Sequence, residues 1–267
     1  MLSWAKSRLG LQRIGLKEGA KVDFLICGAQ KSGTSALNKY LATHRSICMA
    51  DKKEVHYFDR DEFFIDEVPD YQEYHAFFSG NTLGKKVGEA TPIYMYWDQA
   101  ARRIWEYNPK MKIIIILRNP VDRAYSNWNM ECHKGRENLS FLEAIAMESV
   151  RRQESLPVQD RIYSYVGRGY YTSQLRKMGA YFPTSQMLVL KYDDFRDSPN
   201  NTLNKICDFL SVDSIGNIKK EVVHARPYAS EMTMEERKKL IDVYKSEICE
   251  LEGLLGWDCS EWLQAEK

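Results

Sequence analysis

The chain has 267 residues, 44% of them hydrophobic and 28% charged, enough apolar material for one sizeable domain and too much for general disorder. Lysine plus arginine total 38 against 37 aspartate plus glutamate, a formal charge of +1, which excludes a global attraction to nucleic acid or acidic membrane and makes any anion site local. The longest aliphatic run, Ile113 to Leu117, is far short of the ~20 residues a bilayer span needs, and residues 1–20 lack a signal-peptide core, so the expectation is a cytoplasmic protein with no membrane partner.

Residues 1–21 are basic and sparsely apolar and read as an N-terminal arm; residues 22–267 contain no linker or repeat and read as one domain. Val22 to Cys27 is a compact apolar run that stops at a glycine, the pattern of a buried strand. Gly28 to Gly33 is a loop, and Thr34 to Thr43 follows as a helix with Leu37 and Leu41 on one face. A short strand is expected at Lys86 to Ala90. Lys112 to Leu117 is the clearest element, a β-branched run suited to a central parallel strand covered on both faces. Helices are expected at Asp122 to Cys132 and at Ser140 to Arg152, where Ser140 and Glu143 form a capping-box pattern. Gln186 to Tyr192 reads as a strand, Asn201 to Leu210 as the helix after it, and Glu235 to Leu255 as a long amphipathic helix. This alternation defines a single α/β domain with a central, mostly parallel sheet flanked by helices, in which ligands sit at the carboxyl ends of strands. The six cysteines contain no C-x-x-C pair, and His44 with Cys48 has no second ligand pair, so buried reduced thiols and no metal are expected.

Gly28-Ala-Gln-Lys-Ser-Gly33-Thr34-Ser35 sits between a strand and a helix, where backbone N–H groups and a helix N-terminus can cradle a phosphate. Its glycines have P-loop spacing, but a nucleotide triphosphatase would carry lysine directly after the second glycine. Here Thr34 holds that position and the cation is Lys31, inside the loop. The plain alternative is an ordinary strand-turn-helix. Farther on, Arg118 ends the clearest strand and Ser126 lies on the next helix. An arginine at that edge can grip a second phosphate bidentately with a hydroxyl assisting, although a surface ion pair is the ordinary use of such a residue. The two devices together point to a ligand with two separated phosphates.

Those two segments resemble the sulfotransferases that use 3′-phosphoadenosine 5′-phosphosulfate (PAPS). Gly28 to Leu37 is similar to their 5′-phosphosulfate loop and Ile115 to Ser126 to their 3′-phosphate motif. The similarity continues through Lys53 to Phe58, Gly88 to Pro92, Arg168 to Tyr171 and Leu188 to Phe195, and is closest to the heparan-sulfate and bacterial branch. The resemblance implies a P-loop-like fold and a metal-independent enzyme that uses PAPS and releases adenosine 3′,5′-bisphosphate (PAP). It assigns Lys31 to the leaving phosphate, and Ser32, Gly33, Thr34, Ser35 and Ala36 to the 5′-phosphate. Arg118 and Ser126 take the 3′-phosphate, and Arg226 and Tyr228 belong to a basic loop over the cofactor. Glu54 matches the branch's catalytic glutamate and is the expected general base. His56, with an unperturbed pKa of about 6.5, is a second candidate, on the same face if the stretch is extended.

The chain departs from the branch at His224 and Ala225, where lysine and glycine are common, and at Ala90, where glycosaminoglycan enzymes carry lysine. These departures and the near-zero net charge point away from a polyanionic sugar. The expected acceptor is a hydroxyl, or an amine, of a small molecule or carbohydrate, with residues between Phe58 and Phe78 forming a substrate-side loop. The alternatives are a non-catalytic nucleotide-binding module and a P-loop kinase; Glu54 counts against the first and Thr34 against the second.

Overall fold

The computed structural model describes residues 16, 19–65, 69–216, 218 and 231–265. Five stretches pair as parallel strands: β1 (Phe24–Gly28), β2 (Ile47–Met49), β3 (Lys86–Ala90), β4 (Lys112–Leu117) and β5 (Met187–Lys191), in the order β2-β3-β1-β4-β5. The helices are α1 (Thr34–Ala42), α2 (Tyr71–His75), α3 (Ala100–Tyr107), α4 (Pro120–His133), α5 (Phe141–Glu154), α6 (Tyr171–Gly179), α7 (Tyr192–Asp197), α8 (Pro199–Leu210) and α9 (Met234–Leu255).

Strand alternation explains why the sheet needs helices on both sides. Along β4, Ile113, Ile115 and Leu117 enter one core with Leu25 and Cys27 of β1 and with Leu240, Tyr244 and Ile248 of α9. Ile114 and Ile116 enter the other core with Phe24, Leu37 and Leu41 of α1, and Leu203 and Ile206 of α8. All five apolar residues of β4 have 0% exposure, and each such side chain contributes roughly 1.5–3 kcal/mol by burial.

Caps set the helix starts. Asn119 Oδ1 accepts from Val121 N–H at 2.9 Å and Pro120 opens α4, because a missing N–H costs nothing in the first turn. Ser140 N–H donates to Glu143 Oε2 at 3.0 Å, as the capping-box pattern predicts, and Thr233 Oγ1 accepts from Glu236 N–H at 3.2 Å at the start of α9.

The expected strands and helices are all present within a few residues of their expected bounds. Strand β2 and helices α2, α3, α6 and α7 are additional to them. Cys27, Cys48, Cys207 and Cys259 are buried free thiols, but Cys132 is half-buried and Cys249 is exposed, so burial holds for four of the six. The expected arm at residues 1–21 lies almost wholly outside the described residues. Among the described residues, no helix is long and apolar enough to cross a membrane.

Candidate active site

Two loops leave the carboxyl edges of the neighbouring strands β1 and β4 and meet. Ala29 N–H donates to Ile116 O at 2.8 Å, carrying the strand pairing one residue past β1. The chain then turns through Lys31 (φ 73) and Gly33 (φ 87), both left-handed, before α1 begins. At Gly33 a Cβ would lie 3.0 Å from Tyr192 Cε2, so glycine serves both the turn and the close approach. Leu37 N–H donates to Gly33 O at 3.1 Å, which leaves the N–H groups of Thr34, Ser35 and Ala36 in the unsatisfied first turn of α1. Ser32 N–H donates to Ala29 O at 3.2 Å and closes the turn. Its hydroxyl is fully buried with no hydrogen-bond partner among the described residues.

Arg118 follows β4 and reaches back to the loop, Nη1 donating to the Lys31 carbonyl at 3.2 Å. Its guanidinium lies 5.3 Å from the Tyr192 ring centroid, and its own carbonyl accepts from Tyr171 Oη at 2.9 Å. Ser126 is buried on α4 at 8% exposure. Arg168, buried on the turn before α6, donates to Gln30 Oε1 and, at 2.6 Å, to Arg161 O, so the phosphate-type loop is held from a third element. Burial lowers the Arg168 pKa from its ordinary value. Arg226 and Tyr228 lie outside the described residues.

Beside the loop opens a cleft of about 650 Å³ whose walls include Gln30, Glu54, His56, Pro92, Glu131 and Arg161. Glu54 and His56 face one cleft, as expected, but not through an extended strand. Both are left-handed (φ 61 and φ 58), because Glu54 N–H donates to Ala90 O at 2.9 Å and His56 N–H to Thr91 Oγ1 at 3.4 Å, pinning the turn to the end of β3. Lys53 Nζ lies 2.5 Å from Glu54 Oε1, and His56 Nε2 lies 3.6 Å from Glu54 Oε2. His56 Nδ1 meets Asp59 Oδ2 at 2.9 Å, and Arg161 holds the same Asp59 oxygen and the Asp59 carbonyl. Asp59, at 0% exposure, and Arg161 were not singled out from the sequence; the E-x-H-x-x-D spacing was a local signal for Asp59, whereas Arg161 stands 102 residues away with none.

The electrostatics follow from these contacts. Burial alone would raise Glu54, but the hydrogen bond from His56 and the Lys53 charge outweigh it and hold the carboxyl at about 2. Burial would lower His56, yet hydrogen bonds to Asp59 and Glu54 raise it to about 9. Asp59 is likewise lowered, since His56 and Arg161 overcome its burial. At neutral pH the cleft therefore holds an ionised Glu54 against a protonated His56. Of the segment between Phe58 and Phe78, Arg60, Asp61 and Glu62 line the cleft, while Phe63, Tyr71 and Tyr74 pack with Tyr57 and Tyr107 in an aromatic cluster. A second cleft, of about 660 Å³, contains none of the site residues expected from the sequence.

The glycine-flanked loop after β1, the arginine after β4 and the Glu54–His56 pair thus gather at the carboxyl edge of a parallel α/β sheet, beside one cleft. Residues 21–247 match the model of the sulfotransferase domain, and the chain belongs to that family. It is similar to a sulfotransferase from Alicyclobacillus acidocaldarius of known crystal structure, with a TM-score of 0.79 and 30% identity, covering 92% of this chain and all of that one. It is 30% identical over 199 residues to human bifunctional heparan sulfate N-deacetylase/N-sulfotransferase 3, covering 71% of this chain and 22% of that protein. Over 220 residues it is 28% identical to mouse heparan sulfate glucosamine 3-O-sulfotransferase 3A1, covering 80% of this chain and 52% of that protein. The chain thus spans about a fifth and about half of the length of these two relatives.

Proposed function

We propose that this chain transfers the sulfuryl group of PAPS to a hydroxyl, or an amine, of a carbohydrate or small-molecule acceptor bound in the Glu54 cleft. The observation that carries the reading is the contact of Arg118 with the Lys31 carbonyl, which joins two anion-binding devices into one site beside an acid–base pair. The donor fits what is present: the buried Ser32 hydroxyl lacks a partner among the described residues, and the first turn of α1 offers N–H groups with no intrahelical acceptor.

When bound, PAPS supplies the activated sulfuryl group and departs as PAP. Lys31 provides the cation that stabilises negative charge growing at the loop, with Gly33 to Ala36 and the Thr34 and Ser35 hydroxyls holding the 5′-phosphate. Arg118 and Ser126 hold the 3′-phosphate, a bidentate task suited to a guanidinium. Arg226 and Tyr228 complete the cofactor contacts on this reading. Glu54 is the proton acceptor, because it is ionised at neutral pH while His56 already carries its proton. A carboxylate held near 2 takes that proton late, when the acceptor oxygen has lost its basicity by bonding. His56, braced by Asp59, holds Glu54 ionised and oriented. The cleft carries both signs of charge, Arg60, Arg136 and Arg161 beside Asp61, Glu62 and Glu131, which suits a polar acceptor of low net charge.

Titration calorimetry with PAP, with and without magnesium, tests the donor. Tight binding that needs no magnesium, weakened ~10–100-fold in Arg118→Lys with binding of 5′-AMP unaffected, is the expected result. Preference for Mg-ATP over PAP would refute it. A screen of sugars and phenols with labelled PAPS then identifies the acceptor.

A further inference from the structure

Glu89, the last residue but one of β3, is at 0% exposure and has no part in the steps above. A carboxylate so buried is retained only where hydrogen bonds satisfy it, and its partners here are hydroxyls. Thr91 Oγ1 donates to Glu89 Oε2 at 2.6 Å, Tyr74 Oη to Glu89 Oε1 at 3.4 Å, and the Tyr94 phenol lies within hydrogen-bonding reach.

A hydroxyl has one proton and two lone pairs. With the Thr91 proton given to Glu89 and the Tyr94 phenol beside the same carboxyl, lone pairs on both hydroxyl oxygens are left to accept from the Glu54–His56 turn. They accept from consecutive backbone groups: His56 N–H reaches Thr91 Oγ1 at 3.4 Å, Tyr57 N–H reaches Tyr94 Oη at 3.0 Å, and Phe58 N–H reaches the same oxygen at 3.5 Å. The turn needs such restraint. Glu54 and His56 are both left-handed, at a cost on the order of 1–2 kcal/mol each.

We propose that Glu89 is a positioning residue for the transfer site: by aiming the Thr91 and Tyr94 hydroxyls it seats the backbone of the 54–58 turn and so sets Glu54 against His56. The inference rests on the reading that Glu54 and His56 serve the chemistry. Tyr74, Tyr94, Cys27, Asp59 and His56 are the titratable groups facing Glu89, and burial pushes its carboxyl up to about 7 despite the bonds from Thr91 and Tyr94. Ionised, Glu89 only accepts. Protonated, it donates from one oxygen, and the hydroxyl that faces that oxygen is no longer held with its own proton toward Glu89.

The test is the imidazole pKa of His56, read by NMR titration of the full chain and assigned by loss of its signal in His56→Gln. In Glu89→Gln the His56 pKa falls by at least one unit, with PAP affinity unchanged. Because that variant also removes a nearby charge, Thr91→Val, which keeps the charge and deletes one aimed hydroxyl, isolates positioning. It lowers the His56 pKa, and Thr91→Ser restores it. Tyr94→Phe serves the same purpose should Thr91→Val not fold. An unchanged His56 pKa in Glu89→Gln, or in the hydroxyl-deletion variant, overturns the proposal. Absence of PAP binding by the wild type would overturn the functional reading without touching the imidazole titration, so the two failures are distinguishable.

Discussion

Raising the pH from 6 to 9.5 is expected to remove stability that His56 contributes. In the unfolded chain the imidazole titrates near 6.5, while Asp59 and Glu54 raise it to about 9 in the folded protein. The folded state then binds the proton more tightly. The contribution is complete below pH 6.5, declines as the unfolded chain deprotonates, and is gone above pH 9. At 1.36 kcal/mol per unit the rise corresponds to roughly 3 kcal/mol. His56 is 29% exposed at its side chain, so solvent screening brings the expected value to about 1.5–2 kcal/mol. The lowered Glu54 reports part of the same ion pair and is not added. Glu89, raised to about 7, titrates inside this window, but it is present in both proteins, so its contribution largely cancels in the comparison. Urea unfolding of wild type and His56→Gln, at intervals from pH 6 to 9.5, gives the difference between the two proteins. That difference should shrink by about 1.5–2 kcal/mol across the series. A difference that stays flat, or grows with pH, refutes the Asp59–His56–Glu54 arrangement as the source of the shift.

Glu54→Gln should lower transfer at least ~100-fold, the scale of a lost general base, while calorimetry returns wild-type PAP affinity; retained turnover would move proton acceptance to another group. Gly33→Ala must place a Cβ at a φ of 87 and 3.0 Å from Tyr192, so thermal unfolding should report a loss of about 1–2 kcal/mol together with weaker PAP binding, and an unchanged midpoint would show that the loop relaxes.

What could be read in the chain beforehand was whatever local chemistry dictates. Ile113 to Leu117 declares a doubly covered strand because its five aliphatic residues, four of them β-branched, have no polar side, and Gly28 and Gly33 mark the loop after the neighbouring strand β1. Strand β2 was missed because Ile47-Cys48-Met49 is three residues long and shows no alternation to distinguish it from a turn. Glu54 and His56 were legible as residues, but not in their conformation. Alternation suggests an extended segment, whereas hydrogen bonds from their N–H groups to Ala90 and Thr91 force left-handed backbone, a tertiary constraint with no local trace. Arg161 and Arg168 are the extreme case. They brace Asp59 and Gln30 across 102 and 138 positions of chain; Arg161 carries no local signal, and Arg168, although it opens the Arg168–Tyr171 segment of the resemblance, gives no sign of the partner it holds.

On the proposed reading, the bond between the Arg118 guanidinium and the Lys31 carbonyl makes the two phosphate grips parts of a single caliper. Its jaws are rooted at the ends of two hydrogen-bonded parallel strands, β1 and β4, so strand spacing fixes how far apart they begin. On the proposed reading, a nucleotide is then selected by the reach between its phosphates before any contact with its base, and ligands carrying only one phosphate fill half the gauge.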